Sequence, residues 1–365
     1  QVIDGTVPTA VAIEQLLEVL KNSQNLAIVV GADVDRQGAF GTTVKLAERL
    51  KAHVWEAPYS SRASFPEDHP QFAGFLSALP ELLSKQLSDY DVILVVGAPV
   101  FTLHIEGDVT IFDSAVKIYQ ITDDPKYAAF ASATTTLFGS INHSLEAMLD
   151  KVAPLSDSQS DKFAMPLRPA QPKVIGTTPI PVEYAIDLLA HARPSDSVIV
   201  EEAPSHRAAI QRFLPITKPS SFFTMSSGGL GYALPASVGV ALATDKRVIC
   251  LIGDGSSMYS IQAIWTAAQL NLPVTFIILN NFGYGAMHSF GKIMKSQSVP
   301  GLDLPNIDFV QLANSMGCKG ARIKEHEKLP EAINKAVNTT GCYLLEIIVD
   351  PNTGSIYSQS HLKML

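Results

Sequence analysis

Two residues with metal-binding oxygens follow two apolar runs in the chain. Asp254 stands in a Gly-Asp-Gly triplet directly after the apolar residues 248–252, and Asn281 closes an Asn-Asn pair after the apolar residues 274–279. A carboxylate oxygen and a side-chain amide oxygen are hard ligands of the kind that Mg²⁺ and Ca²⁺ prefer. The two residues therefore predict a divalent cation site, provided that the fold brings them together.

The elements around Asp254 and Asn281 are predicted to form a β-α-β unit. Residues 248–252 and 274–279 have the composition of buried parallel strands, and residues 259–270 between them predict a helix. The crossover between parallel strands is right-handed, and ligands of such sheets lie beyond the carboxyl ends of the strands. Both candidate ligands then lie at one edge of the sheet, close to each other.

Small and hydroxyl residues after Asp254 suit an anion. Gly255 lets the backbone approach a ligand closely, and Ser256 and Ser257 are expected to cap the following helix, whose N-terminus favours phosphate. A cation site beside an anion site predicts a metal-bridged diphosphate. Taken alone, Asp-Gly is commonly a plain turn and Asn-Asn a plain loop, so the prediction depends on their combination around one helix.

The spacing of the two pairs resembles a known signature. Gly-Asp-Gly, 24 further residues and Asn-Asn is similar to the signature of thiamin diphosphate (ThDP) enzymes. Residues 226–235, 253–290 and 299–309 are similar to the benzoylformate decarboxylase family. Nearly all 365 residues can be placed on the second and third domains of that family, whereas its N-terminal domain has no counterpart here. The resemblance implies an α/β fold with two doubly wound, mainly parallel-sheet domains.

The composition suits two globular domains and argues against several classes of protein. The chain is 47% hydrophobic and 17% charged, which allows sizeable cores. The net charge of −8 argues against a nucleic-acid surface, and the sequence shows no transmembrane run of about 18 apolar residues and no signal-peptide pattern. Three cysteines without metal-ligand spacing indicate free thiols in a reducing compartment, so we expect a cytoplasmic protein. The start at Gln1, almost directly at a helix, is interpreted as a fragment or a cleaved product.

Alternating strands and helices divide the chain into parts. Residues 1–152 are predicted as a Rossmann-like middle domain, residues 153–180 as a proline-rich linker and residues 181–365 as the diphosphate- and metal-binding domain. No Gly-x-Gly-x-x-Gly motif follows the first predicted strand, 26–30, so a structural role is favoured over nucleotide binding for the first domain. The resemblance implies the same, without flavin or nicotinamide. A mostly helical segment is predicted over residues 75–87.

One histidine lies in a polar, aromatic loop of the first domain. His69 stands in the sequence SSRASFPEDHPQF, residues 60–72. Taken alone, a loop histidine is commonly solvated. The segment resembles a Phe-Pro-x-x-His-Pro loop that brings a histidine into the substrate site of the family. We therefore expect His69 to transfer a proton or to contact the substrate carboxylate.

The resemblance also implies site residues in the second domain. The expected substrate-pocket residues are Pro204, Thr224, Ala286 and Phe290; the expected cofactor contacts are Ser205, Gly228, Gly229, Leu230, Gly255, Ser256, Tyr284 and Gly285; the expected metal ligands are Asp254, Asn281 and the backbone carbonyl of Gly283. Leu230 would hold ThDP in its bent shape. Phe290 fits a core aromatic equally well. Pro204, His206 and Arg207 replace hydroxyl residues of the family, which leaves the substrate open.

The reaction implied by the resemblance is the non-oxidative decarboxylation of an aryl 2-oxoacid, benzoylformate, to benzaldehyde and CO₂. ThDP and Mg²⁺ or Ca²⁺ are the implied cofactors. The activating glutamate of the family belongs to the N-terminal domain, so we expect this chain alone to bind diphosphate weakly and to turn over nothing. The full-length protein is expected to be a homotetramer that acts on a small molecule, with no nucleic-acid or membrane partner. Two alternatives stay open: another ThDP-dependent 2-oxoacid decarboxylase or synthase, and a non-catalytic cofactor-binding or assembly subunit.

Overall fold

A computed structural model describes residues 6–104, 115–131, 134–153, 171–296 and 298–352. The chain divides into two compact units, one of Gln1–Ala170 with Ile216–Ser220 and one of Gln171–Pro215 with Ser221–Leu365. Residues 154–170 of the predicted linker lie outside the described residues. Of its described residues, 153 and 171–179 contain no helix or strand, and Ile180 forms an isolated parallel bridge with Val349.

The first unit holds a six-stranded sheet between helices. Its strands are β1 (Leu26–Val30), β2 (His53–Glu56), β3 (Phe72–Phe75), β4 (Val92–Val96), β5 (Lys117–Thr122) and β6 (Thr135–Phe138). Its helices in the described residues are α1 (Ala10–Asn22), α2 (Ala32–Arg36), α3 (Phe40–Leu50), α4 (Pro80–Leu87), α5 (Pro125–Phe130) and α6 (Ile141–Leu149). The strands are parallel and lie in the order β3-β2-β1-β4-β5-β6.

Apolar residues explain the core of the first unit. All five residues of β1, LAIVV, and of β4, VILVV, are buried, as expected for central parallel strands with helices on both faces. Helix α1 buries Ile13, Leu16, Leu17 and Leu20, whose spacing places them on one side of the helix. The core therefore follows directly from the hydrophobic pattern of the sequence.

The predicted mostly helical segment over residues 75–87 is wrong in its first part. Phe75 is the last residue of β3, which pairs with β2, and α4 begins only at Pro80. Proline is favoured in the first turn of a helix, where its missing N–H group costs nothing. The pairing of a short edge strand thus overrides the helical pattern before Pro80.

The second unit holds another six-stranded sheet. Its strands are β7 (Val198–Glu202), β8 (Phe222–Thr224), β9 (Val248–Gly253), β10 (Val274–Asn280), β11 (Lys319–Ile323) and β12 (Tyr343–Ile348). Its helices in the described residues are α7 (Val182–Ala192), α8 (Arg207–Phe213), α9 (Ala233–Ala243), α10 (Asp254–Ser257), α11 (Ala263–Gln269), α12 (Gly285–Ile293), α13 (Phe309–Ser315) and α14 (Leu329–Asn338), with 3-10 turns at Pro204–His206 and His326–Lys328.

The strand order of this sheet creates a crevice at its carboxyl edge. The strands are parallel in the order β11-β12-β10-β9-β7-β8. After β7 the chain adds β8 on one side, and it then returns to add β9 and β10 on the other. Ligands of open parallel sheets bind beyond the strand ends at such a switch point. Here the switch point lies between the ends of β7 and β9.

The helix after Asp254 differs from the prediction. The sequence predicts one helix over residues 259–270 with Ser256 and Ser257 as caps, but α10 starts at Asp254 and α11 only at Ala263. Asp254 Oδ1 accepts a hydrogen bond from its neighbour Gly255 N, and the Ser257 hydroxyl donates back to the Asp254 carbonyl over 2.7 Å. These local bonds wind the chain directly after β9, so the two serines lie inside the first turn instead of capping it.

Both units are α/β structures with all-parallel sheets, which confirms the predicted fold class. Within the described ranges, no helix is both long enough and apolar enough to cross a membrane.

Candidate cofactor and metal site

Asp254 and Asn281 lie together at the carboxyl edge of the second sheet. Strands β9 and β10 pair in a register that sets Leu279 beside Gly253, so both residues follow their strands at the same edge. One end of the Asn281 amide is 3.1 Å from Asp254 Oδ1. Both side chains are buried. This distance confirms the predicted proximity of the two residues.

A third oxygen completes the cluster. The same end of the Asn281 amide lies 2.8 Å from the carbonyl oxygen of Gly283. In the structure this end is the amide oxygen, and the amide nitrogen faces only donors. An amide oxygen this close to a carboxylate oxygen and a carbonyl oxygen is repelled by both unless a positive charge lies among them. Turning the amide over would let its NH₂ group donate to both oxygens, whereas a divalent cation would hold the oxygen end inward.

These three groups fit a hard divalent cation. A carboxylate, a side-chain amide and a backbone carbonyl offer only oxygen atoms, which is the ligand chemistry of Mg²⁺ and Ca²⁺. In the part of the chain that the structure describes, no three His, Cys, Asp or Glu side chains form a metal cluster. The Asp254 cluster contains only one acidic residue, so the two observations are compatible.

The Asp254 carboxylate is held in a fixed orientation. Its Oδ1 accepts from Gly255 N and its Oδ2 from Gly283 N, each over 2.9 Å. Burial raises the pKa of the Asp254 carboxyl to about 6, and the hydrogen bonds from these amides work in the opposite direction. The carboxylate therefore lies in a poorly hydrated site, where a cation would gain more than it would at the surface.

Backbone pairing holds the loop that carries the Gly283 carbonyl. Tyr284 N donates to Leu302 O over 2.8 Å, and Leu304 N donates to Phe282 O over 2.9 Å. Phe282 has a φ of 63°, a left-handed conformation that a bulky residue rarely adopts. The loop keeps this conformation because its neighbours bind it from both sides.

A buried side-chain network supports the same loop from below. Glu346 on β12 accepts from Asn280 Nδ2 and from Arg322 Nε, each over 2.7 Å. Asn280 Oδ1 in turn accepts from Phe282 N over 2.9 Å. The Glu346 side chain is completely buried. A chain of hydrogen bonds thus connects β11, β12 and β10 with the loop at the cluster.

Replacing Glu346 tests this network. We expect Glu346→Gln to lower the free energy of unfolding by roughly 2 kcal/mol, because the half-exposed Arg322 loses its buried partner. Urea unfolding followed by circular dichroism measures the change. The control Glu325→Gln removes an exposed ion pair with Lys328 and should cost less than about 0.5 kcal/mol. Equal effects of the two substitutions would show that the network does not stabilise the loop.

Several cofactor residues predicted from the sequence follow the cluster residues in the chain or contact the helix after them. The Ser205 hydroxyl accepts from Ala286 N over 2.9 Å, so the turn after β7 touches the start of α12. Gly255 lies under the ring of Tyr284, because an added Cβ would be 2.5 Å from that ring. Ser256 is buried in α10. Gly285 N donates to the Gly283 carbonyl over 3.1 Å.

The glycine pair before α9 is open to solvent. Gly228 and Gly229 are exposed, Gly228 has a φ of 71°, and no atom lies within 4 Å of an added Cβ at Gly228. Leu230 directly after them is half-buried. This stretch has exposed backbone and one half-buried apolar side chain, and its contact with the cofactor stays a prediction.

The expected substrate-pocket residues differ in their surroundings. Ala286 is buried, and Phe290 lies one helical turn later on α12 and is half-buried. Pro204 is half-buried at the turn after β7. The Thr224 hydroxyl is already engaged, because it donates to Glu201 Oε2 over 2.8 Å and lies 3.0 Å from Arg207.

His69 belongs to the first unit, unlike the other site residues. Its Nδ1 accepts from Gln71 N over 3.2 Å, and its Nε2 lies 3.4 Å from Glu48 Oε1. Its ring packs edge-on against Phe65. The proton-transfer role of His69 stays a prediction.

Sequence reasoning missed three residues that shape the site. Glu202 and Glu346 are buried acids whose carboxylates hold the backbone or side chains of neighbouring elements, and Asn280 is the relay to the loop. A signal was present, because a glutamate within an apolar strand such as YLLEII must find a partner. The identity of that partner depends on the strand order, which the sequence does not reveal.

Family models match both units of the chain. Residues 203–347 match the thiamine pyrophosphate enzyme C-terminal TPP-binding domain, and residues 13–148 match the thiamine pyrophosphate enzyme central domain. The first match contains Ser205, Asp254, Asn281 and Gly283, the residues at the crevice.

Sequence comparison agrees with the family models. The chain is 37% identical over 348 residues to benzoylformate decarboxylase of Pseudomonas aeruginosa, which covers 95% of this chain and 65% of that protein. It is 24% identical over 354 residues to the large subunit of acetolactate synthase isozyme 2 of Escherichia coli, covering 93% of this chain and 62% of that protein. The chain thus spans less than two thirds of the length of these curated relatives.

Solved structures share the fold over almost the whole chain. A ThDP-dependent 4-hydroxybenzoylformate decarboxylase of Rhodococcus jostii superposes with a TM-score of 0.91 at 35% identity, covering 97% of this chain and 66% of that one. Benzoylformate decarboxylase of Polynucleobacter necessarius superposes with a TM-score of 0.92 at 30% identity, covering 97% and 67%. With the family models, these matches show that the chain belongs to the thiamine pyrophosphate enzyme family, of which it carries the central and the C-terminal TPP-binding domains.

Proposed function

We propose that the second unit binds the diphosphate of ThDP through a divalent cation held by Asp254, Asn281 and Gly283. The observation that carries this proposal is that one end of the Asn281 side-chain amide lies 3.1 Å from Asp254 Oδ1 and 2.8 Å from the Gly283 carbonyl oxygen, at the ends of β9 and β10. The cluster lies at the edge of the sheet where ligands of parallel sheets bind. Ser205, whose turn touches the start of α12, supplies a hydroxyl beside it.

The residues around the cluster make different contributions to cofactor binding. Asp254 supplies the negative charge for the cation, and its two amide contacts keep the carboxylate from turning away. The Ser205 oxygen accepts from Ala286 N, and its own proton meets no acceptor among the described residues, so it is proposed to bind a phosphate oxygen. Gly228 and Gly229 offer backbone to the ring portion, and the Leu230 side chain excludes water there. When bound, ThDP supplies the nucleophilic carbon and takes up the electrons as CO₂ leaves.

The proposed reaction is the decarboxylation of an aryl 2-oxoacid by the full-length protein. Its support is the similarity to benzoylformate decarboxylase and to a 4-hydroxybenzoylformate decarboxylase. Ala286 and Phe290 give α12 an apolar face for an aryl ring, and His69 would serve proton transfer. A glutamate from a further domain would activate the cofactor, so this chain alone is proposed to bind diphosphate weakly and to be inactive.

The similarity to acetolactate synthase favours a second candidate, a synthase that acts on pyruvate. The match to the Escherichia coli protein covers 93% of this chain. The identity is lower than for the decarboxylase, which is why the aryl 2-oxoacid is preferred. A non-catalytic cofactor-binding or assembly subunit is the third candidate.

The proposal also covers the cellular location and the oligomeric state of the protein. We propose a homotetramer in the cytoplasm, in which the substrate is a small molecule. The free thiols of Cys250, Cys318 and Cys342 are compatible with a reducing compartment.

Calorimetry tests the binding proposal on the chain itself. ThDP is expected to bind in the presence of Mg²⁺, and EDTA is expected to abolish the heat of binding. Thiamin without its diphosphate serves as the matched ligand control and should not bind in either condition. ThDP that binds equally well in EDTA would contradict the metal-bridged diphosphate.

Turnover of the full-length protein tests the substrate. We expect benzoylformate to be decarboxylated with a higher kcat/KM than pyruvate, measured by aldehyde and CO₂ release. A preference for pyruvate with acetolactate as the product would favour the synthase. An absence of turnover with both acids, despite bound ThDP, would favour the non-catalytic subunit.

A further inference from the structure

We propose that Glu202 is a positioning residue that fixes the glycine-leucine stretch against the ring portion of the cofactor. This inference rests on the proposed function, because it assigns the stretch Gly228–Leu230 to ThDP. Glu202 does not touch the metal cluster. It acts through the backbone that follows Leu230.

Both carboxylate oxygens of Glu202 bind this backbone. Oε1 accepts from Gly231 N over 2.7 Å, and Oε2 accepts from Ala233 N over 2.6 Å. The side chain is completely buried at the last position of β7. Hydrogen bonds from backbone N–H groups to an ionised carboxylate are roughly twice as strong as neutral ones. Glu202 therefore attaches the turn formed by the backbone from Gly231 to Ala233 to the end of β7.

Helix α9 has no cap from the side chain of its own N-cap residue. Helix α9 begins at Ala233, and its own N-cap residue, Tyr232, makes no side-chain cap bond. The first N–H groups of a helix lack partners within the helix and need an acceptor from elsewhere. Glu202 supplies that acceptor from another strand, and its negative charge suits the helix N-terminus.

Backbone geometry passes this constraint on to Leu230. Gly231 has a φ of 99°, a conformation that favours glycine, and an added Cβ would lie 3.2 Å from Tyr259 Cβ. Leu230 directly precedes Gly231, whose N–H group donates to Glu202. The exposed Gly228 and Gly229 precede Leu230. An added Cβ at Gly228 would meet no atom within 4 Å, and one at Gly229 would meet Ser227 Oγ at 3.6 Å, so both positions have room for a ligand. The hydrogen bond from Gly231 N to Glu202 restrains the backbone one residue after Leu230.

The neighbouring glutamate, Glu201, binds other elements than Glu202 does. Glu201 is also completely buried at the end of β7, but it accepts from Ala203 N, Arg207 and Thr224. Two adjacent acids of equal burial therefore hold different elements. Glu201 provides a matched control for the loss of a buried carboxylate at this strand end.

Binding of two different ligands distinguishes a loss of positioning of the cofactor's ring portion from general damage to the protein. Calorimetry with Mg²⁺ and ThDP reports on the diphosphate and the ring portion together, whereas Mg²⁺ with inorganic pyrophosphate reports on the metal cluster alone. For Glu202→Gln we expect about tenfold weaker ThDP binding and pyrophosphate affinity within about twofold of the wild type. The amide NH₂ group of the new glutamine would face a backbone N–H group. Glu201→Gln is expected to lower the melting temperature without this selective loss.

A second variant keeps the test decisive if Glu202→Gln fails to fold. Gly231→Ala disturbs the same turn through its backbone while leaving the carboxylate in place, and it should show the same selective loss. Unchanged ThDP affinity in the folded variants would overturn the inference, as would an equal loss for both ligands. A wild-type chain that binds neither ligand would instead overturn the proposed function, and this inference with it.

Discussion

Asp254→Ala is expected to abolish Mg²⁺-dependent binding of ThDP, with a loss of affinity on the order of 100-fold or more. The substitution removes the only charged ligand of the three-oxygen cluster, leaving the Asn281 amide and the Gly283 carbonyl. Two neutral oxygens cannot offset the cost of dehydrating Mg²⁺, which keeps its water shell tightly. Calorimetry with Mg²⁺ and ThDP measures the loss.

The fold should survive this substitution. Asp254 is a buried acid whose pKa burial raises to about 6, so its removal relieves an unfavourable burial while two amides lose their acceptor. Circular dichroism is therefore expected to match the wild type. Asp245→Ala is the matched control, because Asp245 is exposed and precedes β9 at the opposite end of the strand. Wild-type ThDP affinity in Asp254→Ala would remove Asp254 from the metal site.

Glu56→Gln is expected to stabilise the first unit at alkaline pH. Glu56 lies at the end of β2 and is 4% exposed, and burial raises the pKa of its carboxyl from 4.5 to about 8. Its Oε2 accepts from Ser64 N over 3.3 Å, whereas its Oε1 has no hydrogen-bond partner among the described residues. The folded state therefore favours the protonated form of Glu56.

The direction of the pH dependence follows from the pKa values of Glu56 in the folded and the unfolded state. Because the pKa in the folded state is above that in the unfolded state, the stability contributed by Glu56 is fully present below pH 4.5 and is lost as the pH rises towards 8. The shift corresponds to roughly 5 kcal/mol at full ionisation. Glutamine stays neutral, so the difference in unfolding free energy between Glu56→Gln and the wild type should grow over this range.

Tryptophan fluorescence can follow this unit alone. The chain has two tryptophans, of which Trp55 lies in β2 next to Glu56 and Trp265 is exposed in the second unit. Urea unfolding in a Trp265→Phe background therefore reports on the first unit. The exposed Glu18 on α1 gives the control, and Glu18→Gln should show no pH-dependent difference. A constant difference for Glu56→Gln between pH 4.5 and 8 would mean that Glu56 is ionised in the folded protein.

The spatial proximity of Asp254 and Asn281 could be predicted from the sequence because it follows from the topology of the β-α-β unit. Two buried strands joined by one crossover must be parallel, so the residues after them share an edge. The contribution of Gly283 could not be derived in this way. Its carbonyl lies beside Asn281 in a loop where Phe282 has a φ of 63° and where Leu302, Leu304 and Asn280 make hydrogen bonds to the loop backbone, and neither feature can be predicted from the hydrophobic pattern.

The supporting acids escaped prediction for a related reason. Glu346 meets Asn280 because β12 lies between β11 and β10, and Glu202 at the end of β7 accepts from Gly231 in the backbone before α9. Both contacts depend on strand order, which hydrophobic periodicity does not encode. The short edge strands β3 and β6 were missed because four residues carry too little of the strand pattern to outweigh their neighbours.

The most direct test of the central claim is a crystal structure of this chain grown with Mn²⁺ and ThDP, with anomalous scattering used to locate the metal. We expect one strong anomalous peak bonded to the Asp254 carboxylate, the Asn281 amide oxygen, the Gly283 carbonyl and the diphosphate. Density for bound ThDP with the metal elsewhere, or with the Asn281 NH₂ group turned towards Asp254, would contradict the account.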